Sequence, residues 1–186
     1  SYLPKLHRKG YIAPNLGELQ SSIISPGGYV LDSQPGIYNN VLVLDFKSLY
    51  PSIIRSFHID PYAYWYAQHQ KLTGQNIIPG FNQAYFAKTE HILPNIIKEL
   101  WQARDLAKAN NNQPLSQAIK IIMNSFYGVL GSAGCRFFDP RVCSSITLRG
   151  HQIIQQTKQW IEQQDSKVIY GDTGSVFVWV GNDKTE

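Results

Sequence analysis

The sequence predicts an α+β fold: a small antiparallel sheet with packed helices, from which an antiparallel helical hairpin projects. Three observations carry that expectation. Two strand-like aliphatic runs, far apart in the chain, each lead to an acidic residue, Asp45 and Asp172. Long stretches of helical period lie between them. Turn residues at Asn110–Gln113 and Gly171–Gly174 fold their flanking segments back on themselves.

Residues 1–26 are rich in Pro, Gly and Ser without sustained periodicity and read as an extended lead-in. Gly27-Gly28 opens a short strand, Tyr29 to Leu31, and Pro35-Gly36 marks a turn. Val41 to Leu44 is a continuous aliphatic run, as expected of a strand buried on both faces. A helix starting near Ser48 would carry Leu49, Ile53 and Ile54 inward. From Asp60 to about Phe86 the chain is aromatic and amide-rich, and its Pro and Gly punctuation suggests a long connection. A helix from Lys88 to Ala109, with a kink at Pro94, then pairs with a second from Pro114 to Leu130. A third long helix covers Pro140 to Gln164. Lys167–Tyr170 and Val176–Val180 close the chain as a β-hairpin.

Composition bounds the class. At 186 residues, 43% hydrophobic and 12% aromatic, the chain can bury a real core and is not disordered. Its net charge of +4 is compatible with a polyanionic partner only if the charges converge on one face. Cys135 and Cys143 have neither the number nor the spacing of a zinc site or disulfide framework, so they read as reduced core thiols. No apolar run approaches the roughly 20 residues a membrane span needs. The chain begins at Ser1, has no leader-like stretch, and reads as a cytoplasmic piece of something longer.

Three stations carry chemistry. Asp45, at the end of a strand and the start of a helix, either holds a hard cation such as Mg²⁺ or caps the helix. On the helix after Asn112, Leu115, Ala118, Ile119, Ile122, Met123 and Phe126 fall on one side of a 100° wheel. Lys120, Asn124 and Tyr127 form a stripe roughly opposite. Arg104 and Lys108 share a face of the preceding helix, so the three cations form either a polyphosphate clamp or an ordinary solvated face. Tyr170-Gly171-Asp172-Thr173-Gly174-Ser175 puts an acid at a hairpin tip where glycines admit a ligand, or is a plain turn.

Together the stations resemble DNA polymerase family B. Asp45 to Ile54 matches its motif A, DxxSLYPSII; Lys120 to Gly128 matches motif B, KxxxNSxYG; Arg104 and Lys108 match RxxxK. The hairpin resembles motif C, YGDTDS, with Gly174 in place of the second aspartate. The SPGGYV and CRFFDPR segments look most like the bacterial polymerase II branch. The resemblance implies a palm formed by residues 1–86 and 133–186 and fingers formed by 87–132. Asp45, the Phe46 carbonyl and Asp172 would bind two Mg²⁺ ions, with Mn²⁺ as an alternative. Phe46, Ser48, Leu49 and Tyr50 would line the nucleotide site, Tyr50 excluding a 2′-hydroxyl. Arg104, Lys108 and Lys120 would hold the triphosphate, while Asn124 and Tyr127 would abut the nascent base pair. The implied partners are primer–template DNA and dNTP, with a sliding clamp through regions outside this chain. The implied setting is bacterial and nucleoid-associated.

Two departures qualify the match. Gly174 removes a metal-binding carboxylate, so the chain is expected to be impaired or inactive. Ser25 stands where the family's YxGG element has its tyrosine. The exonuclease and thumb that accompany this region in the family are not recognisable in these residues. Two other readings compete. One is a catalytically silent nucleotide- and DNA-binding module. The other is an aspartic protease, because Asp172-Thr173-Gly174-Ser175 also spells DTGS, and a pepstatin-sensitive peptidase assay discriminates it.

Overall fold

A computed structural model describes residues 2–18 and 25–181. Its architecture is mixed: a three-stranded antiparallel sheet and a separate β-hairpin among six helices of the described chain. The sheet comprises β1 (Val41–Asp45), β4 (Lys167–Asp172) and β5 (Ser175–Trp179), in the order β1-β5-β4. Asp45 and Asp172 therefore lie on strands that flank β5 and do not neighbour each other. Both pair with Ser175, from opposite sides of β5.

The lead-in is not wholly extended. α1 (Tyr2–Arg8) buries Leu6, and its Tyr2 hydroxyl donates to the Asp60 carboxylate at 2.6 Å. The expected strand at Tyr29–Leu31 is an extended strap along β4. Val30 bridges Asp172, and the Leu31 and Gln34 amides donate to the Gly171 and Ile169 carbonyls. The β1 expectation fails in its burial: Leu42, Val43 and Leu44 are 47%, 59% and 45% exposed. β1 is an edge strand, and α6 (Pro140–Glu162) packs on β4 and β5 instead.

α2 (Leu49–Ser56) forms where expected and buries Leu49, Ile53 and Ile54 against α4 and α6. The stretch from Asp60 to Phe86 is ordered, not a long connection. It contains α3 (Pro61–His69) and the antiparallel pair β2 (Ile77–Pro79) and β3 (Tyr85–Ala87). Its aromatic content hid a core-facing pattern: Tyr62, Ala63, Tyr64, Ala67, Phe86 and Ala87 are buried.

α4 (Leu93–Ala109) starts later than the period suggested because Pro94 occupies its first turn. There a proline's missing N–H costs nothing, so it opens the helix and does not kink it. α5 (Gln113–Leu130) is capped by Asn112, whose side chain accepts from the Leu115 amide. The two helices pack antiparallel as the predicted hairpin. The buried line of α5 is Ser116, Ile119, Met123 and Leu130, while Leu115 and Ile122 are about half exposed at 48% and 47%. The expected apolar face was thus rotated, because α5 meets α4, α2 and α6 along the edge nearer Tyr127. Cys143 is buried and both cysteines are free; burial pushes the Cys143 thiol up to about 12. No helix of the described residues is long and apolar enough to cross a membrane.

One junction answers to pH. The His58 and His91 rings lie 4.3 Å apart, each with a buried Nδ1 that lacks a partner. Burial, then the neighbouring His58 and Lys9, hold the His91 imidazole below its ordinary value, against the opposing pull of Glu90. A depressed folded value means a stabilising contribution complete above the unfolded value of about 6.5 and lost as pH falls through the folded one. Thermal melts should therefore fall more between pH 7.5 and about pH 5 for this chain than for His91→Phe. Parallel pH profiles of the two would show that the pair is inert.

Candidate active site

The candidate site assembles where β1 ends, β4 and β5 turn, and α2 begins. Asp45 and Asp172 share a register row with Ser175, so all three side chains point to one face of the sheet. The backbones of the two acids stand two strand spacings apart, about 10 Å. Both carboxylates are exposed. The Phe46 amide donates to the Gly174 carbonyl at 2.8 Å, which ties the end of β1 to the β4–β5 turn. A Cβ placed on Gly174 would lie 3.9 Å from Asp45 Oδ1. Position 174 thus faces Asp45 directly.

Ser48 precedes α2 in a left-handed conformation, φ 52°, and its hydroxyl accepts from Arg104 Nη1 at 3.2 Å. This places Arg104, on α4, at the start of α2. Arg104 is only 9% exposed, and its Nε is buried without a partner. Lys108 and Lys120 stand exposed on α4 and α5, as does Asn124. Leu49 is buried in the core behind the site, whereas Phe46 is half-buried at its rim.

Tyr50 and Tyr127 meet, with ring centroids 4.7 Å apart. Burial pushes the Tyr50 phenol up to about 12, with Tyr127 and the Asp172 charge adding to the effect. Motifs A, B and C therefore contribute to one neighbourhood through Tyr50, Tyr127 and Asp172. Sequence reasoning missed Gly150 on α6, where a Cβ would press to 3.2 Å from Tyr50 Cε1. The signal was available: an isolated glycine in a long helical pattern usually has a packing reason. It also missed Thr173, whose hydroxyl donates to Asp172 Oδ1 at 2.7 Å.

Known proteins of similar sequence and fold identify the family of the chain. The sequence pattern described as "DNA polymerase family B" matches residues 2–186. The chain belongs to DNA polymerase family B. It is 58% identical to DNA polymerase II of Escherichia coli (strain K12) over 179 residues, covering 96% of this chain and 23% of that polymerase. It is 33% identical to the DNA polymerase alpha catalytic subunit of Oryza sativa subsp. japonica over 171 residues, 84% of this chain and 10% of that subunit. The family B polymerase of the archaeon Pyrobaculum calidifontis superposes with a TM-score of 0.71 at 27% identity, over 95% of this chain and 25% of that one. The chain thus spans about a quarter or less of each of these three polymerases. Family membership overturns the aspartic protease reading of DTGS. The fold agrees, since long helices precede a loop that here joins two strands of one small sheet.

The residues can be weighed against the metal ions that the family resemblance implies. Asp45, Asp172 and the Phe46 carbonyl are hard oxygen donors, the chemistry a Mg²⁺ ion prefers. They fall short in number: among the described residues no three His, Cys, Asp or Glu side chains gather as a metal group. The donor set fits one divalent cation in kind and leaves a second poorly held.

Proposed function

We propose that this chain is the palm-and-fingers core of a template-directed DNA polymerase that transfers dNMP from dNTP to a primer 3′-hydroxyl. The palm would comprise residues 1–86 and 133–186, and the fingers residues 87–132. The observation that carries this reading is the gathering of Asp45, Asp172 and position 174 at one end of β5.

In this reading Asp45, the Phe46 carbonyl and Asp172 would hold one divalent ion firmly and a second only weakly, since position 174 brings no carboxylate. Divalent ions bound there, Mg²⁺ or Mn²⁺, would supply Lewis-acid activation of the attacking hydroxyl and stabilisation of the leaving pyrophosphate. Arg104 directs its guanidinium to the triphosphate, with Lys108 and Lys120 closing on it from α4 and α5. Ser48 steadies Arg104 at the start of α2, and buried Leu49 fixes the backbone between them. Tyr50, packed against Tyr127 and given room by Gly150, forms a wall under the sugar and excludes a 2′-hydroxyl. Asn124 and Tyr127 flank the nascent base pair. Primer–template DNA is positioned through its backbone, not read for sequence. A sliding clamp would engage regions outside this chain, and the setting would be the bacterial nucleoid.

Gly174 favours a second reading for the chain as it stands, a nucleotide- and DNA-binding module that does not turn over. Both readings predict that dNTP·Mg²⁺ binds and that added salt weakens it. Lys120→Ala should weaken binding about tenfold, the scale of one lost charge-assisted contact. Lys167→Ala, at the far end of β4, should leave it nearly unchanged. Equal effects in a fluorescence titration would reduce the cations to a solvated face.

A further inference from the structure

Thr173 is β-branched, yet it sits in the left-handed region at φ 50°. Side chains of this kind rarely adopt that conformation, and they hold it only when the surroundings impose it. What imposes it is visible. The Thr173 amide donates to the Tyr29 carbonyl at 2.9 Å, and Val30 bridges Asp172. The strap from Gly27 to Leu31 is itself held down by α6. His151 Nε2 lies 2.9 Å from the Gly27 carbonyl, and the His151 ring packs 4.9 Å from that of Tyr29. Gln155 donates to the Tyr29 hydroxyl at 3.2 Å. At the centre there is no spare room: a Cβ on Gly28 would fall 2.6 Å from Thr173 Oγ1. That same Oγ1 donates to Asp172 Oδ1.

We infer that the Gly27–Leu31 strap, clamped by His151 and Gln155, is a positioning device for Asp172, acting through the Thr173 hydroxyl. The hydroxyl fixes one carboxylate oxygen and leaves the other free for a cation. Gly28 is required because any side chain there would push the hydroxyl away. Thr173 and His151 are positioning residues: neither needs to touch substrate or metal. The inference rests on the reading of Asp172 as a metal ligand.

The test is Mn²⁺ binding to the 186-residue chain, followed by electron paramagnetic resonance, with melting temperatures recorded for every variant. Asp172→Ala is the reference and should abolish the tightest binding. Thr173→Val keeps the shape and removes the hydroxyl, so binding should weaken about tenfold, the usual scale for losing a ligand's hydrogen-bond partner. Thr173→Ser should restore it to within about twofold. Gly28→Ala should resemble Thr173→Val, and His151→Ala should show a smaller loss in the same direction. If Asp172→Ala loses Mn²⁺ while Thr173→Val and Gly28→Ala bind as the parent does, the positioning role is overturned and the metal reading stands. If Asp172→Ala binds Mn²⁺ unchanged, the metal reading falls and the positioning role falls with it.

Discussion

Gly174→Asp should raise primer extension by about a thousandfold or more, which corresponds to roughly 4 kcal/mol of transition-state stabilisation. The substitution is sterically free. Gly174 is not among the residues of positive φ, and the nearest atoms a Cβ there would meet are Leu49 Cβ at 3.7 Å, Asp45 Oδ1 at 3.9 Å and Leu49 Cδ2 at 4.0 Å. What it changes is charge. A second carboxylate beside Asp45 repels it in the absence of a cation and is relieved when a divalent ion binds between them. The variant should therefore melt lower than the parent without metal and gain more on adding Mg²⁺ or Mn²⁺. Extension is best measured with these 186 residues replacing the matching region of E. coli DNA polymerase II, which supplies the flanking chain. Rates that are equal for Gly and Asp would reject position 174 as a ligand site. Asp183, the next acidic residue along the chain, lies outside the described residues.

How much of this was legible beforehand depended on where the physics was local. α5, α6 and the β4–β5 hairpin are written in periodicity and turn residues, and they form nearly where the sequence places them. The motif residues could be named because their spacing is a chemical pattern that survives without a fold. Burial was less legible. The Val41–Leu44 run looks like a core strand, but being central or at the edge is decided by distant β5. The wheel of α5 gave the right apolar content and the wrong azimuth, since three helices compete for its surface. The segment after Asp60 was opaque for another reason. The Asp60 cap of α3, directly before Pro61, was readable, but the hairpin of this segment is closed by a partner that sequence spacing cannot show, Ser145 for the Phe81 amide. The strap over Thr173 belongs to the same class, because Gly27 and His151 are 124 residues apart.

Asp60→Ala should cost about 4 kcal/mol of folding stability, the largest loss expected of any single substitution away from the site. The carboxylate is fully buried and faces four donors. Oδ1 accepts from the Tyr2 hydroxyl at 2.6 Å and the Leu93 amide at 3.2 Å; Oδ2 accepts from the Ala63 and Ile92 amides at 3.1 and 2.9 Å. One side chain thus caps α3, caps α4 and anchors α1. Truncation strands all four donors away from water, at about 1–3 kcal/mol each before relaxation. Asp60→Asn should be nearly as damaging, because either orientation of the amide turns its NH₂ toward two donors. Tyr2→Phe removes two bonds, the one to Asp60 and the one accepted from the Tyr62 amide at 3.1 Å, and should cost about 2 kcal/mol. Urea unfolding of the three variants orders them, and an Asp60→Ala loss no larger than that of Tyr2→Phe would dismiss the shared cap. The consequence reaches the candidate site, because the first turn that Asp60 fixes belongs to α4, the helix that carries Arg104 to Ser48. A loosened α4 should therefore weaken dNTP binding even in variants that still fold, though no substituted atom touches the nucleotide.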